Sequence, residues 1–95
     1  MSLIGNCKNG NLEGVKHLVA LGVDVNSKAN GGFGPTPLYE TFRDGSFDII
    51  KYLVENGADV NAKTNNGVSV LKWARIHDHG DDKITGYLID NGAIN

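Results

Sequence analysis

The chain repeats itself along its length. Sliding the sequence by 35 residues places Gly10 on Gly45 and Gly80, Leu18 on Leu53 and Leu88, and Gly22 on Gly57 and Gly92. The segment Gly22-Val23-Asp24-Val25-Asn26 falls on Gly57-Ala58-Asp59-Val60-Asn61, and a third copy begins at Gly92-Ala93. A period of this size constrains the fold more than composition does. Each copy must be one small supersecondary unit whose apolar face is covered only by its neighbours.

The unit can be read physically. Leu12, Val15, Leu18 and Val19 recur as Phe47, Ile50, Leu53 and Val54, a spacing that lines one face of a 3.6-residue helix. The residue after the first glycine is Asn11, Ser46 or Asp81, and all three types cap helix N-termini. Gly22, Gly57 and Gly92 stand where a left-handed C′ residue stops such a helix. A shorter helix precedes it, announced by Thr36-Pro37-Leu38 and again by Ser69-Val70-Leu71, in which Thr and Ser are cap types and proline suits the first helical position. Asp-Val-Asn followed by Asn and Gly suits an extended reach ending in a tight turn. Each unit is therefore helix, turn, helix and projecting finger, and the fold class is an all-α solenoid.

These residues resemble the ankyrin repeat. Thr36-Pro37-Leu38-Tyr39, Gly45 and Gly57-Ala58-Asp59-Val60-Asn61 match its Thr-Pro-Leu-His start, central glycine and Gly-Ala-Asp-Val-Asn ending, with tyrosine in place of histidine. The resemblance covers nearly the whole chain as one domain, 1–95. Its divisions are an N-terminal capping repeat at 1–30, a complete repeat at 31–65 and a C-terminal capping repeat at 66–95.

The departures are local. The family unit is about 33 residues long, and the two intervals here reach 35 differently. Gly22 to Thr36 spans 14 residues against 12 from Gly57 to Ser69, so the first finger is longer. Leu38 to Gly45 spans seven against nine from Leu71 to Gly80, which lengthens either the third unit's first helix or the turn after it. The first unit has no leading finger, which leaves an upstream repeat open. In the third, Asp82 and Thr85 replace Phe47 and Ile50, which predicts a wetter outer face of the kind a terminal repeat needs.

Composition narrows the function classes. Nine Lys and Arg against eleven Asp and Glu give a net charge of −2 with the basic residues scattered, unlike a nucleic-acid surface. No apolar stretch is long enough for a signal sequence or a membrane span. One cysteine, Cys7, cannot form an intramolecular disulfide, which fits a reducing, cytoplasmic location. It aligns with Phe42 and reads as a packed thiol.

His77-Asp78-His79-Gly80-Asp81-Asp82 is the one stretch that invites a catalytic reading, a metal-dependent hydrolase centred on His77, His79 and Asp81. It falls in a turn between helices and lacks the further ligands and enclosing cavity that such a centre requires. The reading here is of a solvated turn, no enzyme and no cofactor or metal. Gly31-Gly32-Phe33-Gly34-Pro35 lacks the strand, helix and Lys-Ser/Thr pair of a phosphate loop. Phe33 either folds back on the neighbouring finger or stands exposed as an interface anchor. Trp73 and Tyr39 serve packing or contact.

The resemblance implies non-catalytic binding of another protein by the fingers and first helices on a concave face. Mapped residue by residue, the contact positions are Lys8 and Asn9 in the first unit, Gly32, Phe33, Pro35, Arg43 and Asp44 in the second, and Asn65, Asn66 and Val68 in the third. The other reading is a fragment of a longer array with only a structural role. A monomer is expected, with self-association through exposed array ends as the alternative. Asn26 and Asn61, eight residues after Leu18 and Leu53, also resemble substrates of an asparaginyl hydroxylase of animal cells, though such asparagines stabilise the finger turn whether or not they are modified.

Overall fold

A computed structural model describes residues 2–28, 35–44, 46–64, 66–77 and 83–94, with residues 43 and 44 described for backbone only. Six helices are described: α1 (Leu3–Lys8), α2 (Leu12–Ala20), α3 (Pro37–Asp44), α4 (Phe47–Glu55), α5 (Val70–His77) and α6 (Lys83–Asp90). They form three antiparallel pairs, as the repeat predicts. The first helices stack in the order α1, α3, α5, and α2 packs on α4 behind them. Phe47 of α4 meets Tyr87 of α6 edge-on, with ring centroids 5.3 Å apart, which carries the second layer on into the third unit.

One closure stops all three second helices. Gly22, Gly57 and Gly92 have φ of 92°, 97° and 96°, the left-handed region in which a side chain is disfavoured. After α4, Gly57 N–H donates to the Val54 carbonyl (3.1 Å) and Ala58 N–H to the Leu53 carbonyl (2.9 Å). Val23 with Gly22 and Ala93 with Gly92 repeat that pattern on α2 and α6. This is the Schellman motif, which satisfies carbonyls that would otherwise lack partners at the helix end.

N-terminal caps are less uniform than the sequence suggests. Ser2 accepts from Gly5 N–H (3.0 Å), Asn11 from Gly14 N–H (3.1 Å) and Ser69 from Lys72 N–H (3.1 Å). Ser46 makes no side-chain cap bond to α4, and the Thr36 hydroxyl, buried at the head of α3, has no hydrogen-bond partner. Those two expected caps are therefore not made. Asp81 lies outside the described residues.

The core runs between the layers through Cys7, Val15, Leu38, Ile49, Ile50, Leu53, Val70 and Leu88, all essentially inaccessible. In the first unit the helices approach closely because residue 14 is glycine: a Cβ there would fall onto the Asn6 side-chain oxygen. That oxygen accepts from Asn11 Nδ2 (2.9 Å), and Asn6 Nδ2 donates to the Ser2 carbonyl (2.9 Å), so the buried amide is satisfied.

In the third unit the structure selects between two open alternatives and corrects one expectation. α5 has eight residues, as α3 does, so the extra length falls after His77 and not in the helix. Thr85 is buried (7% exposed) and hydrogen-bond capable, so the wetter face does not lie there; Asp82 is outside the described residues. The polar replacements that do reach solvent are on α5. Counting from Leu38 and Leu71, Tyr39 and Phe42 are buried in the middle unit where Lys72 and Arg75 are exposed in the third. At these two positions charge replaces ring. Among the described residues no helix is long and apolar enough to cross a membrane.

Candidate functional site: the face formed by fingers and first helices

The fingers are held to one another by asparagine. Asn26 Nδ2 donates to the Gly57 carbonyl (3.0 Å) while its Oδ1 accepts from Asp59 N–H (2.7 Å). One unit later Asn61 Nδ2 donates to Gly92 (3.0 Å) and its Oδ1 accepts from Ile94 N–H (2.8 Å). Each side-chain amide thus mimics a backbone peptide and joins one unit to the next. Within the finger, Asp24 and Asp59 carboxylates accept from Asn26 and Asn61 N–H at 2.9 and 2.8 Å, an Asx turn that sets the amide in position. The asparagines therefore do more than stabilise their own turn.

The finger ahead of the third unit is a small hairpin. Lys63 and Ser69 form an isolated antiparallel bridge, Thr64 N–H donates to the Val68 carbonyl (3.1 Å), and Gly67 takes φ 78° at the tip. Tyr39 ties it to the middle unit, its hydroxyl lying 2.7 Å from the Ala62 carbonyl and 2.5 Å from the Val68 carbonyl. Burial, and then the Asp59 charge, push the Tyr39 phenol up to about 12, so it remains a donor. Trp73 Nε1 donates to the Tyr39 carbonyl (3.2 Å), and its ring lies 5.8 Å from Tyr39 and 4.8 Å from His77. Trp73 and Tyr39 are thus joints between units. His77 is half-buried against Trp73; His79 and Asp81 lie outside the described residues.

Lys8 and Asn9 are exposed at the end of α1, Asn66 is exposed at the hairpin tip, and Pro35 is half-buried ahead of α3. Val68 is half-buried, and its N–H and carbonyl serve the hairpin and Tyr39. Arg43 and Asp44 occupy the last turn of α3; nothing of their side chains is described, and Gly32, Phe33 and Asn65 lie outside the described residues. Sequence reasoning missed Ile76, which is 61% exposed in the last turn of α5. It stands five residues after Leu71, as Lys8 and Arg43 stand after Leu3 and Leu38, so the arithmetic that selected those two finds it as well.

Clefts open among the described residues. One of about 540 Å³ lies between fingers and is lined by Asn26, Lys28, Thr36, Asp59, Asn61, Ala62 and Lys63. The other, about 240 Å³, lies between α2 and α4 and carries Lys16, Lys51, Asp48 and Glu55 around Leu12 and Tyr52. Among the described residues no group of three or more His, Cys, Asp or Glu side chains is placed to hold a metal ion. Cys7 is fully buried, and burial raises its thiol above the ordinary range; the Thr41 hydrogen bond opposes that rise and the Glu40 charge adds to it. A thiol so placed is packing, not a nucleophile.

The family model for ankyrin repeats, in three copies, matches residues 3–95. The chain belongs to the ankyrin-repeat family. Ankyrin repeats are generally protein–protein interaction modules, and the family is generally non-enzymatic. No curated protein matches the chain. In this ankyrin array the position usually held by histidine in the first helix is Tyr39, whose single hydroxyl proton lies within reach of two carbonyls of the following finger.

Proposed function

We propose that this ankyrin array binds another protein, without catalysis, through a concave face made of its fingers and first helices. The observation that carries the reading is the exposure of Ile76 in register with Lys8 and Arg43. A large aliphatic side chain left in water costs free energy that burial against a partner would recover, roughly 1.5–3 kcal/mol for a side chain of this size. The contact set is Lys8, Asn9, Gly32, Phe33, Pro35, Arg43, Asp44, Asn65, Asn66 and Val68, with Ile76 added. Units 1–30 and 66–95 act as caps around the complete repeat 31–65, and the buried, unpaired thiol of Cys7 suits a cytoplasmic setting.

The test is capture of a partner from source-cell lysate by the wild-type chain and by the double variant Phe33→Ala/Arg43→Ala, with thermal midpoints measured on both. Loss of capture at an unchanged midpoint is expected. Retained capture with a collapsed midpoint would assign those residues to the core and move the binding face elsewhere.

A further inference from the structure

The finger asparagine of one unit finds the same target on the next. Asn26 grips the Gly57 carbonyl and the Asp59 N–H, and Asn61 grips the Gly92 carbonyl and the Ile94 N–H. The equivalent pair in the first unit is the Gly22 carbonyl and the Asp24 N–H, and among the described residues neither has a hydrogen-bond partner. The turn that carries them is nevertheless already built. Gly22 has φ 92° against 97° and 96° at Gly57 and Gly92, and the N–H groups of Gly22 and Val23 close on the Val19 and Leu18 carbonyls at 3.0 and 3.1 Å. An incoming side-chain amide would therefore meet an acceptor and a donor in the geometry used twice elsewhere in the array, with little left to order.

The apolar side chains around this turn are uncovered only in the first unit. Val23 is 37% exposed, against 8% and 5% for Ala58 and Ala93, whose two neighbouring residues the preceding asparagine grips. Leu18 is half-buried where Leu53 and Leu88 are inaccessible. Residue type moves in the same direction. Asn56 and Asn91 turn their side chains back onto the Tyr52 and Tyr87 carbonyls, but the first unit has Leu21 there, 68% exposed. A terminal repeat needs a polar outer surface. An end that puts leucine for asparagine and valine for alanine into water is an incomplete cap, and clustered apolar exposure of this kind marks an interface.

We propose that the closing turn of α2 is a docking surface for an ankyrin-type unit of another protein, which sets a finger asparagine on the Gly22 carbonyl and Asp24 N–H and lays its apolar side over Leu18, Leu21 and Val23. The occupant is defined by what covers the two equivalent turns within this chain. A second copy of the chain is not that occupant, because Asn26 and Asn61 are both engaged within their own molecule. The surface shares no residue with the contact set on the concave face.

The protein's own middle unit is the first probe. A second copy of residues 35–68 joined ahead of residue 1 reproduces the three-residue step from Val68 to Leu71 as a step from Val68 to Leu3. In the extended chain, hydrogen exchange of the Asp24 amide should slow by about tenfold or more, and Asn61→Ala in the added copy should restore the original rate. Unchanged exchange at Asp24, or slowing that survives Asn61→Ala, would overturn the docking geometry. The occupant is identified with the unextended chain, carrying a benzophenone side chain in place of Leu21 and illuminated in source-cell lysate, with the joined peptides sequenced by mass spectrometry. Crosslinks to an asparagine-bearing finger of another ankyrin-type protein are expected, and Val23→Asp should abolish them. Crosslinks to a second copy, to a segment of any other kind, or to nothing would overturn the assignment. Phe33→Ala/Arg43→Ala should leave these crosslinks unchanged, so failure of the concave face and failure of this end are read separately.

Discussion

At the scale of the residue, one phenol hydroxyl joins the middle unit to the third. The one Tyr39 hydroxyl proton is shared between the Ala62 and Val68 carbonyls, and replacing the residue by Phe removes that donor. Tyr39→Phe should cost about 1–2 kcal/mol of unfolding free energy in urea denaturation at neutral pH. The same group sets an alkaline limit. Its folded pKa of about 12 exceeds the ordinary 10.0, so the fold favours the protonated phenol. Its contribution is complete below pH 10 and is lost as pH rises from 10 through about 12. The urea midpoint should fall across that window, and fall less steeply in Tyr39→Phe. Cys7, also raised by burial from 9.0, is common to both proteins and cancels in the comparison. The sequence showed that tyrosine replaced the family's histidine at this position. It did not show the target, because the acceptors lie 23 and 29 residues away on the next finger.

Helices and fingers are the next scale, and here the asparagine clamps matter most. Asn61 holds the closing turn of α6 through two hydrogen bonds that leave from a finger in the unit before it. Asn61→Ala should destabilise by about 1–2 kcal/mol, at the lower end of two bonds because the site is exposed. Hydrogen exchange should locate the effect. Protection should drop in α6 and the turn at Gly92 while α1 and α2 keep theirs, as nearest-neighbour coupling in a repeat array requires. A uniform drop across all six helices would mean that the array unfolds as one unit instead. Helix positions and C-terminal stops were legible in the sequence because apolar spacing and glycine report local geometry. Whether a Ser or Thr actually caps was not: Ser2 and Ser69 do, while Ser46 and Thr36, of the same residue types at the same helical position, do not.

For the whole molecule, the charged face of α5 is where association can be tested. Lys72 and Arg75 stand where the middle unit buries Tyr39 and Phe42 against its successor. Charged side chains are costly to bury against an apolar neighbour, so this face is expected to resist stacking of a second copy. The variant Lys72→Tyr/Arg75→Phe should keep the helical circular dichroism of the wild type and self-associate. Sedimentation velocity over a range of concentrations would then give a rising weight-average mass for the variant and a constant monomer mass for the wild type. A variant that remains monomeric would show that groups other than Lys72 and Arg75 block that face.

Sequence by itself determined the family, the number of units, the six helices and the left-handed glycines that end three of them. All of these follow from short-range spacing, in which a residue's role is fixed by neighbours within a turn or two of helix. It also placed Lys8, Asn9 and Asn66 outside the core, because helix periodicity and hairpin composition leave them no apolar neighbours. Only the tertiary structure decided that Asn26 and Asn61 clamp the following unit, that Thr85 is buried, and that Thr36 keeps a buried hydroxyl without a partner. Those outcomes depend on which groups meet across some thirty residues of chain. A local pattern carries no record of the partner that stacking brings to it.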